Sequence, residues 1–303
     1  MSRIAYVNGQ YMPHHDAAVH IEDRGYQFAD GVYEVFAMHR GLIIGEQGHM
    51  DRLEHSLKEL RIAWPMSRRV IGVLIREIAR RNRVRDGFIY LQITRGVARR
   101  DHPFPKDSES SLVLTARRLP PLNKEELRKG VGVITIPDIR WKRHDIKSVS
   151  LLPNVLGKQQ AHEAGAYEAW MVNDEGMVTE GTLSNAWIVT KDGELVTHNV
   201  SQAILNGITR LAVLEAAAEA GLLVPQTWQP MAGEDFAARV AAMRYPLVAK
   251  WANPQAILPV LEAAGLEWRK TDYLHGPDDL RALLERFAPI GRWPLIQQYC
   301  GGV

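Results

Sequence analysis

The segment DIKSVSLLPNVLGKQQAHEAGAYEA, residues 145–169, holds two lysines in different settings: Lys147 precedes a stretch of helical character, and Lys158 lies inside it. A lysine amine attacks carbonyl groups when burial or neighbouring cations lower its pKa. Arg140, Lys142, Arg143 and His144, just upstream, could supply such a field, or could equally form a basic surface loop. By residue type alone both lysines are solvated charges. A second feature is Gly207-Ile208-Thr209, which opens an alanine-rich helical run. A helix N-terminus offers unpaired N–H groups and the positive end of the helix dipole, so it suits a phosphate, although an ordinary capped helix has the same pattern. Other chemistries lack their residues. The sequence has no His-Glu-x-x-His, no cysteine pair for zinc, no Gly-x-Ser-x-Gly and no Gly-x-x-x-x-Gly-Lys phosphate loop. Gly130-Val131-Gly132 lacks the third glycine of a dinucleotide fingerprint, and His14-His15 reads as a solvated turn, so no metal site is expected.

These residues must be positioned by regular elements. Asn8-Gly9 in IAYVNGQYM and Arg40-Gly41 in VYEVFAMHRGLII each sit between β-forming runs and predict hairpins. Met50, Leu53, Leu57 and Leu60, and then Val70, Leu74, Ile75 and Ile78, recur at helical spacing and predict two amphipathic helices. GFIYLQITRG and SSLVLTARR read as buried strands, and RLPPLN, with adjacent Pro120 and Pro121, as a linker. Beyond it VGVITI is a strand, PNVLGKQQAHEA a helix closed by Gly165, and YEAWMV, SNAWIVT and ELVTH are strands. The expected fold class is α+β in two lobes, an N-terminal lobe over 1–119 and a second over 125–230, joined by a linker at 120–124 and followed by an atypical αβ tail over 231–303.

The chain of 303 residues is 46% hydrophobic, enough for one large core or two moderate ones. Lys plus Arg number 37 against 35 Asp plus Glu, a net charge of +2 with no long single-sign run, so neither nucleic acid nor a membrane surface is expected as partner. The N-terminal MSRIAYVNGQYMPHHD lacks the apolar core of a signal peptide, and no run reaches the ~18 apolar residues of a membrane span. With Cys300 alone, no intrachain disulfide forms. A cytoplasmic location is expected.

Asp145-Ile-Lys147-Ser followed by LLPNVLGKQQAHEAGAYEA strongly resembles the catalytic segment of D-amino-acid aminotransferases, fold-type IV enzymes that use pyridoxal 5'-phosphate, and the likeness extends over about residues 3–228. The resemblance implies a small N-terminal α/β lobe and a larger pseudo-barrel lobe. It makes Lys147 the Schiff-base lysine and Lys158 a surface charge. In VTEGTLSNAW it places Glu180 on the pyridine nitrogen, where an anion keeps the proton that makes the ring an electron sink. It gives the phosphate to Ile208 and Thr209 at their helix start and to Arg52 in GHMDRLEHS, which would otherwise be read as an exposed residue near the start of its helix. It gives the substrate carboxylate to Tyr33 of one subunit and to Arg100 and His102 of the other, which implies a homodimer.

The implied reaction is a two-stage, ping-pong transfer from a D-alanine-type donor to a 2-oxoglutarate- or pyruvate-type acceptor, with Lys147 as covalent anchor and general acid/base. Other readings are a catalytically silent fusion with an incomplete pocket, or branched-chain or amine transamination or aminodeoxychorismate lyase activity. Tyr33, Arg100 and His102 argue against that last group. The tail looks like a piece of an ATP-grasp ligase, which would put Lys250 and Lys270 on nucleotide phosphates. Gln298 stands where a nucleotide-binding glutamate is expected, and the chain stops at Val303 before any metal-binding carboxylates, so no ATP chemistry is expected. The tail is read as strand, helix, strand, helix, strand, with Leu280, Leu283, Leu284 and Phe287 as an apolar stripe.

Overall fold

Asn8 and Gly9 adopt positive φ, 45° and 95°, and turn β1 (Ile4–Val7) back on β2 (Gln10–Pro13), as the Asn-Gly pair predicts. The computed structural model of the chain describes residues 3–120, 124–222, 224, 226–251, 254–269 and 271–299. A short helix α1 (Arg24–Phe28) precedes β3 (Gly31–His39). Arg40 and Gly41, again at positive φ, lead into β4 (Leu42–Ile43). Helices α2 (Glu46–Glu59) and α3 (Arg68–Arg81) follow, then β5 (Gly87–Thr94) and β6 (Ser111–Arg118). The six strands form one antiparallel sheet in the order β2-β1-β6-β5-β3-β4.

Strand alternation decides which face is dry. Val32, Phe36 and Met38 of β3, Ile89, Leu91 and Ile93 of β5, and Leu112 and Leu114 of β6 are buried in one cluster with Met50, Leu53 and Leu57 of α2. The helical stripe of α3 is rotated from the predicted one. Ile71, Ile75, Ile78 and Ala79 are buried while Val70 is 44% exposed, because the helix begins only after its Ser67 cap and Val70 falls on the outer side of the first turn.

The linker expected at 120–124 falls mostly outside the described residues, and α4 (Lys124–Lys129) starts at its end. Next come β7 (Val133–Pro137), α5 (Leu152–Glu163) and β8 (Glu168–Val172). Gly165 closes α5 at φ 68°, as read from the sequence. The chain divides into two compact units, Met1–Met171 with Gly181–Ser184, and Val172–Glu180 with Asn185–Val303.

The second unit begins with β9 (Val178–Gly181), the paired β10 (Trp187–Val189) and β11 (Leu195–Thr197), and α6 (Ile208–Glu219). The remainder is β12 (Thr227–Trp228), α7 (Phe236–Ala242), β13 (Leu247–Lys250), α8 (Pro254–Ala263), β14 (Asp272–Leu274), α9 (Pro277–Phe287) and β15 (Leu295–Gln298). From β13 onward this is the expected strand, helix, strand, helix, strand, in an antiparallel sheet ordered β12-β15-β13-β14. Its core, including Trp228, Leu261, Leu280, Leu284, Phe287 and Ile296, is drawn from within residues 228–296. It does not extend to β10 and β11, where Ile188, Val189, Leu195 and Val196 are exposed. Among the described residues no helix is long and apolar enough to cross a membrane, and no cluster of side chains could hold a metal ion.

Candidate active site

Lys147 is held by its backbone on both sides. Its N–H donates to Ser56 Oγ of α2 at 3.1 Å, its carbonyl accepts from the Tyr33 N–H of β3 at 3.0 Å, and the next residue, Ser148, bridges to Val32. Ile146 is buried in the core beside it. This clamp presents the side chain to the sheet face opposite α2, where Lys147 Nζ lies 4.3 Å from the centre of the Tyr33 ring. The same alternation that buries Glu34 places Tyr33 on this face. Tyr33 stacks on Tyr90 at 5.7 Å, and Tyr90 donates its hydroxyl to Gln92 Oε1 at 2.7 Å. Burial, with a smaller contribution from Tyr33, pushes the Tyr90 phenol up to about 12, so it stays a donor at neutral pH.

Behind this face, Glu34 is fully buried. It accepts from Arg52 Nε at 2.7 Å and Nη2 at 2.8 Å, and pairs with His49 Nδ1 at 2.7 Å. Burial alone would raise the Glu34 carboxyl. The hydrogen bonds of Arg52 and His49, aided by the charges of Arg52 and Lys147, outweigh it and hold the group below the ordinary range. Arg52 therefore differs from its sequence reading: it stands mid-helix rather than near a helix start, mostly buried rather than exposed, with Nε and Nη2 committed to Glu34.

Of the basic residues upstream of Lys147, the two arginines are answered by carboxylates. Arg140 pairs with Asp138 at 2.7 Å, and Arg143 pairs with Asp145 at 2.9 Å and Glu59 at 2.6 Å. Burial would raise Asp145, but His55 and Arg143 more than compensate and hold it far below the ordinary range. Lys158 lies over the Tyr167 ring at 4.5 Å and donates to the Tyr167 carbonyl, tying α5 to the residue before β8.

Arg100 and His102 stand exposed on the loop after β5 and gather around one ring. The Arg100 guanidinium lies 4.7 Å from the centre of Phe28, and the His102 ring 5.5 Å from it. The loop leaves β5 through Gly96 at φ 90°, where a Cβ would come within 1.8 Å of the Glu109 carbonyl, so only glycine fits.

Glu180 and the start of α6 belong to the second unit. Glu180 is buried, and its Oε2 accepts from Asn185 Nδ2 and the Leu205 N–H, both at 3.1 Å. The turn after it, Gly181–Ser184, is pinned by buried Glu168, which accepts from the Leu183 N–H at 2.6 Å and Ser184 Oγ at 2.8 Å. Gly207 caps α6 with no side chain covering the first-turn N–H groups of Ile208 and Thr209. A Cβ on Gly207 would meet Asn185 Oδ1 at 2.1 Å. Arg210, the third residue of α6, is buried, and its Nε has no hydrogen-bond partner among the described residues. Burial lowers its pKa from the ordinary arginine value, yet arginine remains charged at neutral pH. An uncapped helix start beside a buried, partly unanswered guanidinium fits a phosphate, and a buried carboxylate held by two N–H donors fits a protonated ring nitrogen. The donor set therefore fits pyridoxal phosphate.

Residue types alone do not single out Glu34, His49, Tyr90, Gln92 or Arg210. Glu34 has a usable signal, since a carboxylate at an inward position of the Val32-Glu34-Phe36-Met38 alternation requires a cation. Residues 31–232 match the family described as Amino-transferase class IV. The chain is 44% identical over 216 residues to a D-alanine aminotransferase of Bacillus licheniformis, covering 71% of this chain and 75% of that one. It is 42% identical over 222 residues to a D-alanine aminotransferase of Listeria monocytogenes, covering 73% and 76%. The branched-chain amino acid aminotransferase of Escherichia coli shares the fold, with a TM-score of 0.66 at 22% identity over 73% of this chain and 76% of that one. So does another branched-chain amino acid aminotransferase, solved with pyridoxamine 5'-phosphate, with a TM-score of 0.66 at 24% identity over 73% and 75%.

Proposed function

Because the chain belongs to the class IV aminotransferases, we propose that it moves the amino group of D-amino acids, of the D-alanine type, to 2-oxo acids of the 2-oxoglutarate or pyruvate type. The cofactor is pyridoxal phosphate, which when bound supplies the electron sink for the charge left as the α proton departs. The observation that carries the reading is the placement of Lys147, fixed through its backbone between β3 and α2 with its amine over the Tyr33 ring.

Lys147 would have two tasks in turn: to hold the cofactor through its aldehyde carbon and, once the substrate amine has displaced it, to carry the proton to and from the substrate α position. Glu180, held by Asn185 and Leu205, keeps the ring nitrogen protonated. The first-turn N–H groups of Ile208 and Thr209 would hold the phosphate, and buried Arg210 would add positive charge at that helix start. Tyr33, Arg100 and His102 grip the substrate carboxylate and so decide which hydrogen faces Lys147. Arg100 and His102 are exposed on a loop flanked by exposed Ile21, Tyr26 and Val97, which supports a homodimer in which each subunit lends its loop to the other.

For residues 231–303, read from the sequence as an ATP-grasp fragment, we propose no second activity. Lys250 ends β13 exposed, Gln298 carries no charge, and Lys270 lies outside the described residues. The test is a visible spectrum of the purified protein with pyridoxal phosphate, recorded before and after D-alanine and, separately, L-alanine. A bound-cofactor band discharged only by the D isomer supports the proposal. A spectrum that stays that of free cofactor overturns it.

A further inference from the structure

We infer that Arg24 and Phe28 are positioning residues for substrate binding, a platform that holds Arg100 and His102 in register; this rests on the reading that those two residues take the substrate carboxylate. Arg24 is almost fully buried, unusual for an arginine at the start of a five-residue helix. It uses its fork in two directions. Nε donates to Asp30 Oδ2 at 2.8 Å, while Nη1 donates to the carbonyl of Asp101 at 2.6 Å and Nη2 to that of His102 at 3.3 Å. Those two carbonyls belong to the residues immediately after Arg100.

The base under Arg24 is rigid. Asp30 also accepts from Arg95 at 2.7 and 2.9 Å, and Arg95 in turn donates to the carbonyls of Leu60 and Arg61 at 2.7 and 2.9 Å. Burial would raise the Asp30 carboxyl, but Arg95 and Arg24 hold it below the ordinary range and therefore charged. The turn carrying Arg24 is stitched to the end of β5: Asp23 caps Gly25, Thr94 Oγ1 donates to Asp23 at 2.9 Å, and the Arg24 N–H donates to the Gly96 carbonyl at 2.9 Å.

Above this base Phe28 offers its ring to three groups: Arg24 at 4.8 Å, Arg100 at 4.7 Å and His102 at 5.5 Å. Arg24 thus fixes the loop backbone while Phe28 fixes the side chains that the backbone carries. Two residues beyond His102, Phe104 is held by Arg95, whose guanidinium lies 3.6 Å from the ring centre. A carboxylate grip made of two exposed side chains needs such a platform, because an ångström of misplacement weakens a charge-assisted bond sharply.

The experiment is steady-state kinetics with D-alanine on the cofactor-loaded enzyme, for Arg24→Lys and Phe28→Leu, each alone and in an Arg100→Ala background. Lysine keeps the charge but loses the fork, and Phe28→Leu leaves the Arg24 network intact if the arginine variant folds poorly. The expected result is a rise in KM on the order of tenfold in each single variant, with kcat within about twofold of the parent. Either substitution should raise KM less once Arg100 is gone, because only His102 is then left for the platform to hold. A parental KM in both single variants, or an equal rise with and without Arg100, overturns the platform. If Arg100→Ala itself keeps the parental KM, the carboxylate-grip reading fails instead, and the platform fails with it.

Discussion

Glu34 of β3 and Arg52 of α2 form a two-pronged ion pair, 2.7 and 2.8 Å, with the carboxylate wholly inside the core and His49 on its remaining side. It joins the strand that carries Tyr33 to the helix whose Ser56 holds the Lys147 backbone. Replacing one member of a buried pair strands the other charge. Glu34→Gln is therefore expected to cost on the order of 3 kcal/mol of unfolding free energy, read from the denaturant midpoint, and to lower turnover by misplacing Lys147.

The same pair sets a pH dependence. The folded carboxyl of Glu34 lies below its unfolded value, so over the interval between them the unfolded chain binds more protons. Its stabilising contribution is complete above the unfolded value, near 4.5, and is lost as pH falls through the folded one. Asp30 and Asp145 are lowered as well and act in the same direction. Stability should fall as pH drops below about 5, and Glu34→Gln should flatten that slope by about one proton, measured by urea unfolding across the acid range.

Lys147→Ala is expected to remove D-alanine turnover, by at least about 10²-fold, and to abolish the visible band of bound cofactor. The side chain beyond Cβ is lost, but the two backbone bonds to Ser56 and Tyr33 persist, so the thermal midpoint without cofactor should stay near the parental one. A variant that retains turnover would assign the chemistry to another amine.

The short-range features are legible in the sequence because local rules determine them. Asn8-Gly9 and Arg40-Gly41 form the hairpins expected of such turns, Gly165 ends α5, and Gly207 begins α6. Lys147, Glu180 and the 208–209 helix start stand out through contiguous motifs. The ties that position them are not legible, because they join residues distant in sequence: Arg24 meets Asp101 across 77 positions, and Lys147 meets Ser56 across 91. A lone arginine such as Arg52 looks like any solvated charge until the alternation of β3 places the buried carboxylate of Glu34 opposite it.

Arg210 offers a direct probe of the phosphate half. Inorganic phosphate, as the part of the cofactor that α6 would take, should raise the thermal midpoint. A ligand at a hundredfold over its Kd contributes about 2.7 kcal/mol. Arg210→Met should keep the buried stem but diminish that shift, and should weaken cofactor binding in a spectroscopic titration. An undiminished phosphate shift would move the phosphate away from this helix start.

The sheet over residues 226–299 has a core closed within residues 228–296, while Ile188, Val189, Leu195 and Val196 on β10 and β11 remain exposed. That arrangement separates two roles for the C-terminal segment, because a tail that completed the aminotransferase lobe would share core with β10 and β11. Phe287, buried among Leu284, Trp251 and Ile296, is the lever. Phe287→Ala should cost about 3 to 5 kcal/mol within that sheet. If the sheet is a passenger, the variant shows an early calorimetric transition while D-alanine turnover at about 25 °C, below that transition, stays within about twofold of the parent. Loss of turnover together with the early transition would instead make the C-terminal sheet part of the catalytic body, with cooperative unfolding that the separate cores do not suggest.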